Sequence, residues 1–210
     1  MNGFYSSVAG ATLRWHDFPG DGLPVVFIHG LGCASSYDYP RIASDPALRE
    51  RRKILIDLPG FGYSDKPRVF SYNIHKQALV LEQFLSHLRL QRFALFGHSM
   101  GGSIAIEAAG LLGERVTTLL VSEPNLFAGG EYSRRIAAQS ETAFVADGYA
   151  SCWRRSARRG RVVYKTAPPG RLAGRQQPDT RQRHALVYPA MPAALPENAD
   201  RRRAVASLCG

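Results

Sequence analysis

A serine between glycines separates two apolar runs in residues 93–113, which read FALFGHSMGGSIAIEAAGLLG. The first run, residues 93–96, has the length and residue types of a buried strand. Residues 103–112 are small and apolar and suit a buried helix. Strand, glycine-flanked Ser99 and helix, in that order, make the layout of a nucleophile elbow. The reason is steric. The serine occupies a sharp, strained turn, so Gly97 and Gly101 must lack side chains where strand and helix nearly meet. The turn lifts the Ser99 hydroxyl clear of the sheet and aims the helix N-terminus at a reacting carbon. G-x-S-x-G alone is a weak pattern. The flanking strand and helix are what make Ser99 a candidate nucleophile.

Around this stretch the chain alternates strand-like and helix-like segments. Residues 11–18 (ATLRWHDF) alternate like an edge strand, and residues 19–24 (PGDGLP) are a turn cluster. Residues 25–28 (VVFI) and 53–57 (KILID) read as strands covered on both faces. Between them, residues 37–48 are partly helical and interrupted by Pro40 and Pro46. Residues 58–67 (LPGFGYSDKP) form a loop, and Ser71 is a candidate cap for a helix over 72–88. That helix places Ile74, Leu81, Phe84, Leu85 and Leu88 on one face. Residues 115–121 (RVTTLLV) are the next strand, ending at Ser122-Glu123-Pro124-Asn125. Helical spacing returns over 131–149, with Ile136, Ala143 and Phe144 inward. This alternation predicts an α/β fold with a mostly parallel sheet and right-handed crossovers. Sites in such sheets lie at the C-terminal strand ends, where His29, Ser99 and Glu123 all fall.

Three motifs now stand in order: His29-Gly30-Leu31-Gly32, residues 57–65 (DLPGFGYSD) and residues 97–102 (GHSMGG). Together they resemble the α/β-hydrolase fold family over residues 10 to about 150. The resemblance implies an oxyanion loop at residues 29–32, with the Leu31 and Met100 backbone N–H groups as oxyanion donors. It implies that Glu123, ending the strand after the elbow strand, is the triad acid that orients a histidine. It implies no metal or organic cofactor and a small-molecule substrate. A serine rather than an aspartate at the elbow argues against a dehalogenase or epoxide hydrolase. Esterase, lactonase, carbon–carbon bond hydrolase, aminopeptidase and perhydrolase stay open.

The base is the weak point. The family's histidine follows a last strand in a Gly-His-like loop. Only His184 follows Glu123, in RQRHAL, with no apolar strand before it and no glycine beside it. It is the candidate base by position alone. His98 is fixed by the elbow, and His16, His29, His75 and His87 read as structural. Asp57 and Asp65 read as loop-shaping carboxylates. Cys33, close to residues 29–32, reads as small core filler rather than a nucleophile.

The charge is uneven along the chain. Residues 1–150 hold 14 Lys+Arg and 14 Asp+Glu, whereas residues 151–210 hold 13 and 3, so the whole net charge of +10 lies in the last part. The body therefore offers no basic face for nucleic acid. The domain reading is a core over 1–124, the start of a cap over 125–150, and an Arg/Pro-rich tail over 151–210. No buried strand stands out in the tail beyond a weak RVVY at residues 161–164. The sheet's last strands are thus expected to be missing or degraded. Two accounts of the tail stand: a natural basic, disordered extension, or a shift of reading frame near residues 151–155. The abrupt change of composition favours the second. No signal-like start, membrane-length apolar run or cysteine framework is seen, which fits a cytoplasmic protein without membrane attachment. The expected function is a serine hydrolase acting through an acyl-Ser99 intermediate. The alternative is a catalytically inactive, truncated hydrolase or binding module lacking the histidine. A nucleic-acid binder driven by the tail is a third, weaker class.

Overall fold

A computed structural model describes residues 1–126, Arg134, residues 138–148 and the strand Leu186–Pro189. Its centre is a sheet in the order β1-β2-β4-β3-β5-β6-β7. The strands are β1 Asn2–Ser6, β2 Ala11–Phe18, β3 Gly22–Ile28, β4 Arg51–Asp57, β5 Phe93–His98, β6 Val116–Ser122 and β7 Leu186–Pro189. The four middle strands, β4, β3, β5 and β6, run parallel, while β1, β2 and β7 are antiparallel to their neighbours. The mostly parallel α/β sheet expected from the alternation is present.

The continuous apolar runs are explained by burial on both faces. On one face, Val26, Ile28, Ile54, Ile56, Phe93 and Leu95 pack with helices α3 (Ile74–His87) and α4 (Met100–Leu112). On the other, Phe27 and Leu55 meet Tyr39 and Ala43 from the short helices α1 (Ser35–Asp38) and α2 (Pro40–Ala43). Alternate residues of one strand thus serve two cores, so no polar position is left in the middle of it.

Four details differ from the sequence reading. Residues 11–18 are not an edge: β2 is covered by β1 on one side and β4 on the other. Its exposed polar positions come from one open face, not from an open edge. The cap of α3 is Asn73, whose side chain accepts the Lys76 N–H at 2.8 Å, and not Ser71. Asn73 directly precedes the first helical residue, Ile74, which is where a cap must stand. Ala143, expected inward, is exposed, while Phe144 is half-buried; Ile136 lies outside the described residues. Finally, a short strand at Leu186–Pro189 pairs antiparallel with β6, where the sequence reading found no strand. Three apolar residues, LVY, are too short a run to separate from chance by pattern.

Candidate active site

β5 ends at His98 and α4 starts at Met100, so Ser99 alone makes the turn between them. Its backbone has φ 52° and ψ −120°, a conformation an L-residue avoids. Three hydrogen bonds hold it there. Its N–H donates to Ser122 O on β6 at 2.9 Å. Its own carbonyl accepts from Gly102 N–H at 2.9 Å and from Ser103 N–H at 3.2 Å. The glycines are required by the backbone itself. A Cβ on Gly97 would strike the Gly101 carbonyl, and one on Gly101 would strike the carbonyls of Ile28 and His29. These are main-chain atoms that cannot swing aside, so the steric reading of both glycines holds.

The turn after β3 lies directly against this elbow. A Cβ on Gly30 would sit 3.3 Å from His98 Cδ2 and 3.4 Å from Ser99 Cβ. Leu31, next in the chain, is 43% exposed, so its side chain is not a core contact. Met100 begins α4, where the first N–H groups have no acceptor within the helix. Gly30, which precedes Leu31, thus backs onto the elbow, and Met100 follows Ser99 directly.

Glu123 follows the last paired residue of β6. His98 pairs with Ser122, so Ser99 and Glu123 are the next residues on neighbouring parallel strands. Such strands run roughly 4.8 Å apart. Glu123 also has a left-handed backbone, φ 50°, and its side chain is exposed. Pro124 behind it closes over Gly102, and Asn125 O accepts the Ser103 hydroxyl at 2.8 Å. The structure thus brings Ser99, Leu31, Met100 and Glu123 to one end of the sheet. His184 lies outside the described residues.

Four of the other histidines, His16, His29, His75 and His87, are occupied elsewhere. His29 is fully buried and bonded through both ring nitrogens. His75 Nδ1 meets Glu107 Oε1 at 2.7 Å, bridging α3 and α4. His87 lies on Phe4, and His16 beside Phe18. Among the described residues no histidine is hydrogen-bonded to the Ser99 hydroxyl.

The carboxylates behave as loop ties. Asp57 is fully buried and accepts from Ser36 N–H, Ser36 Oγ and Tyr63 N–H at 2.9, 2.7 and 3.0 Å. It thereby joins α1 to the loop after β4. Asp65 accepts the Thr12 N–H at 2.8 Å. Cys33 is half-buried, and burial beside Asp38 pushes its thiol up to about 12. It is a protonated thiol at neutral pH and a poor nucleophile. Asp38 was missed in the sequence. Burial raises its carboxyl above the usual range, against the opposing pull of the Cys33 thiol and of the Ala34 N–H, which donates to Oδ2 at 3.3 Å. Nothing in the local pattern SSYD announces this, because its neighbours Cys33 and Ala34 are brought to it by the turn before α1. No group of three His, Cys, Asp or Glu among the described residues is placed to hold a metal ion. No helix among them is long and apolar enough to cross a membrane.

Several known proteins are similar to this chain. The model of the alpha/beta hydrolase fold matches residues 24–146. The dihydrolipoyllysine-residue acetyltransferase component of the acetoin cleaving system of Pseudomonas putida is 33% identical over 145 residues, covering 67% of this chain and 36% of that protein. The 2-hydroxymuconate semialdehyde hydrolase of Pseudomonas putida is 34% identical over 113 residues, 54% of this chain and 40% of that one. Among solved structures, an alpha/beta hydrolase fold protein from Burkholderia ambifaria superposes with a TM-score of 0.64 at 30% identity, over 76% of this chain and 57% of its own. The chain thus spans between 36% and 57% of the length of these relatives. With the family model matched over more than half its residues and the strand–serine–helix turn at the end of a parallel sheet, the chain belongs to the α/β hydrolase fold family.

Proposed function

We propose that this chain is a serine hydrolase that cleaves an ester-like or other carbonyl small molecule through an acyl-Ser99 intermediate. The observation that carries the reading is the backbone of Ser99, held at φ 52° between two glycines that no other residue could replace. Strain of this kind persists only where the surroundings over-determine it, and it clusters at reacting groups. Similarity to a hydrolase of a semialdehyde substrate supports a carbonyl substrate of modest size.

In this scheme Ser99 Oγ attacks the carbonyl carbon while a histidine takes its proton. The carbonyl oxygen becomes an oxyanion held by the Leu31 and Met100 N–H groups. Donors of this type contribute roughly 3–4 kcal/mol each to the transition state. The tetrahedral species collapses, the histidine returns the proton to the leaving group, and water then repeats the sequence on the acyl-enzyme. Glu123 holds the imidazole in its working tautomer and stabilises its cation. His184 is the candidate base. Residues 125–150 are the start of the cap that shapes the substrate site.

A second reading, an inactive relative or binding module, is favoured by one observation. No histidine among the described residues reaches the Ser99 hydroxyl, and a Ser hydroxyl without a base is a weak nucleophile. Labelling of the folded protein by a fluorophosphonate separates the two. Labelling that disappears in Ser99→Ala and falls steeply in His184→Ala supports the hydrolase with its named base. Folded protein that shows no Ser99-dependent labelling establishes the inactive reading.

A further inference from the structure

His29 is fully buried at the end of β3 and lies edge-on to Phe61, with ring centroids 5.0 Å apart. Each ring nitrogen faces one backbone group. The Leu58 N–H lies 3.1 Å from Nε2, and the Gly30 carbonyl oxygen lies 2.9 Å from Nδ1. An amide N–H can only donate, so Nε2 must present its lone pair. The ring proton therefore sits on Nδ1 and is donated to the Gly30 oxygen. The two neighbours dictate the tautomer between them.

The Gly30 carbonyl and the Leu31 N–H belong to one peptide unit. In a planar trans peptide the C=O and N–H bonds point in opposite directions, so fixing the oxygen also fixes the direction of the N–H. The same oxygen accepts a second bond, from Cys33 N–H at 3.2 Å. Two donors on one carbonyl polarise the peptide and make its N–H a better donor. A Cβ on Gly30 would lie 3.3 Å from His98 Cδ2 and 3.4 Å from Ser99 Cβ, so this unit lies close against the elbow.

We propose that His29 is a positioning residue for the oxyanion, acting through Gly30 to set the direction and strength of the Leu31 N–H. This rests on the reading of Leu31 as an oxyanion donor. A histidine that merely anchored the loop would need both of its bonds alike. A positioning residue needs the Nδ1 bond above all.

Two variants separate those roles. His29→Asn keeps an N–H donor close to the Nδ1 position and gives up the acceptor for Leu58. His29→Gln reaches toward Leu58 and gives up the short bond to Gly30. Hydrolysis of p-nitrophenyl acetate reads kcat and KM, and ¹H–¹⁵N spectra read the Leu31 amide directly. The expected result is a drop in kcat of roughly 100-fold for His29→Gln, with KM nearly unchanged. His29→Asn loses less than about ten-fold on the same scale. The Leu31 amide proton shifts in the Gln variant and stays near its wild-type position in the Asn variant. Equal losses of kcat in both variants, or a Leu31 amide unmoved in His29→Gln, overturn the proposal. If the wild-type chain shows no Ser99-dependent hydrolysis, the acyl-enzyme reading has failed by itself. The Leu31 amide then still decides whether His29 governs this peptide.

Discussion

Ser99 and Glu123 invite comparison because they occupy equivalent places. Each is the first residue past a paired position, His98 or Ser122, on neighbouring parallel strands. Each is a non-glycine residue with φ near +50°. Their surroundings differ. Ser99 is walled by main-chain atoms on both sides, through Gly97 and Gly101, and is bonded to β6 and to its own helix. Glu123 is exposed at its strand end, and the next residue, Pro124, packs on Gly102. The geometry of Ser99 is thus a property of the fold on both sides of it, whereas Glu123 stands on the exposed side of its strand end.

Activity should split the pair most widely. Ser99→Ala removes the attacking atom and is expected to lower kcat by roughly 10⁵–10⁶-fold. Glu123→Gln keeps the shape and loses the charge, and is expected to cost roughly 10³–10⁴-fold. Steady-state kinetics with p-nitrophenyl acetate checks both. A Glu123→Gln variant at wild-type rate would remove Glu123 from the triad and leave Ser99 untouched.

Stability should separate them next. Gly101→Ala drives a methyl into the carbonyls of Ile28 and His29, which are locked in the sheet. The expected loss is about 3 kcal/mol or more, read as a fall in the urea midpoint. Pro124→Ala, the matching change behind Glu123, is expected to cost roughly 1 kcal/mol or less, since it removes one partly buried surface contact. Equal losses at the two sites would mean that the elbow is no more tightly enclosed than the acid's turn.

How much of this was legible in the sequence follows the same division. The elbow could be read because its demands are local. A strand, two glycines two residues from a serine, and a helix are adjacent in the chain. The parallel core could be read because strands buried on both faces, such as 25–28 and 53–57, lose their polar alternation. What failed depended on distant partners. β2 reads as an edge until β1, which carries no apolar alternation, is seen to cover it. The partners of His29 include Leu58, 29 residues away, which no local pattern marks. Asp38 looks like a surface acid until Cys33 and Ala34 are seen to lie against it. Glu123 could be placed by the strand it ends, because that too is local, whereas the short strand Leu186–Pro189, paired to β6 from more than 60 residues away, could not.

A pH titration tests the buried side of the comparison. Burial lowers the pKa of His29, so the folded state holds it neutral. In the unfolded chain it titrates near 6.5. Between those values the unfolded state binds more protons, so stability rises with pH. The contribution is fully present above about pH 6.5 and is lost as pH falls through the lower folded value, at no more than about 1.4 kcal/mol per pH unit. Urea midpoints measured downward from pH 7.5 should fall on this slope. His29→Asn, which cannot titrate, should flatten it. An unchanged slope in that variant would assign the acid sensitivity to another group.

The smallest effect bears most directly on strain. Glycine tolerates positive φ, so replacing a strained residue by glycine returns the strain energy, less the extra entropy of an unfolded glycine. Ser99 combines φ 52° with ψ −120°, far from the left-handed helical well. Its hydroxyl makes no capping bond to α4, so its removal costs no cap. Ser99→Gly is therefore expected to raise stability by about 1 kcal/mol while abolishing hydrolysis. Glu123 is exposed and also has φ 50°, and Glu123→Gly should gain about 0.5 kcal/mol or nothing. Thermal melts of the two variants, side by side, decide it. A larger gain at Glu123 than at Ser99 would mean that the elbow stores no special strain, and that the two strand ends differ in burial alone.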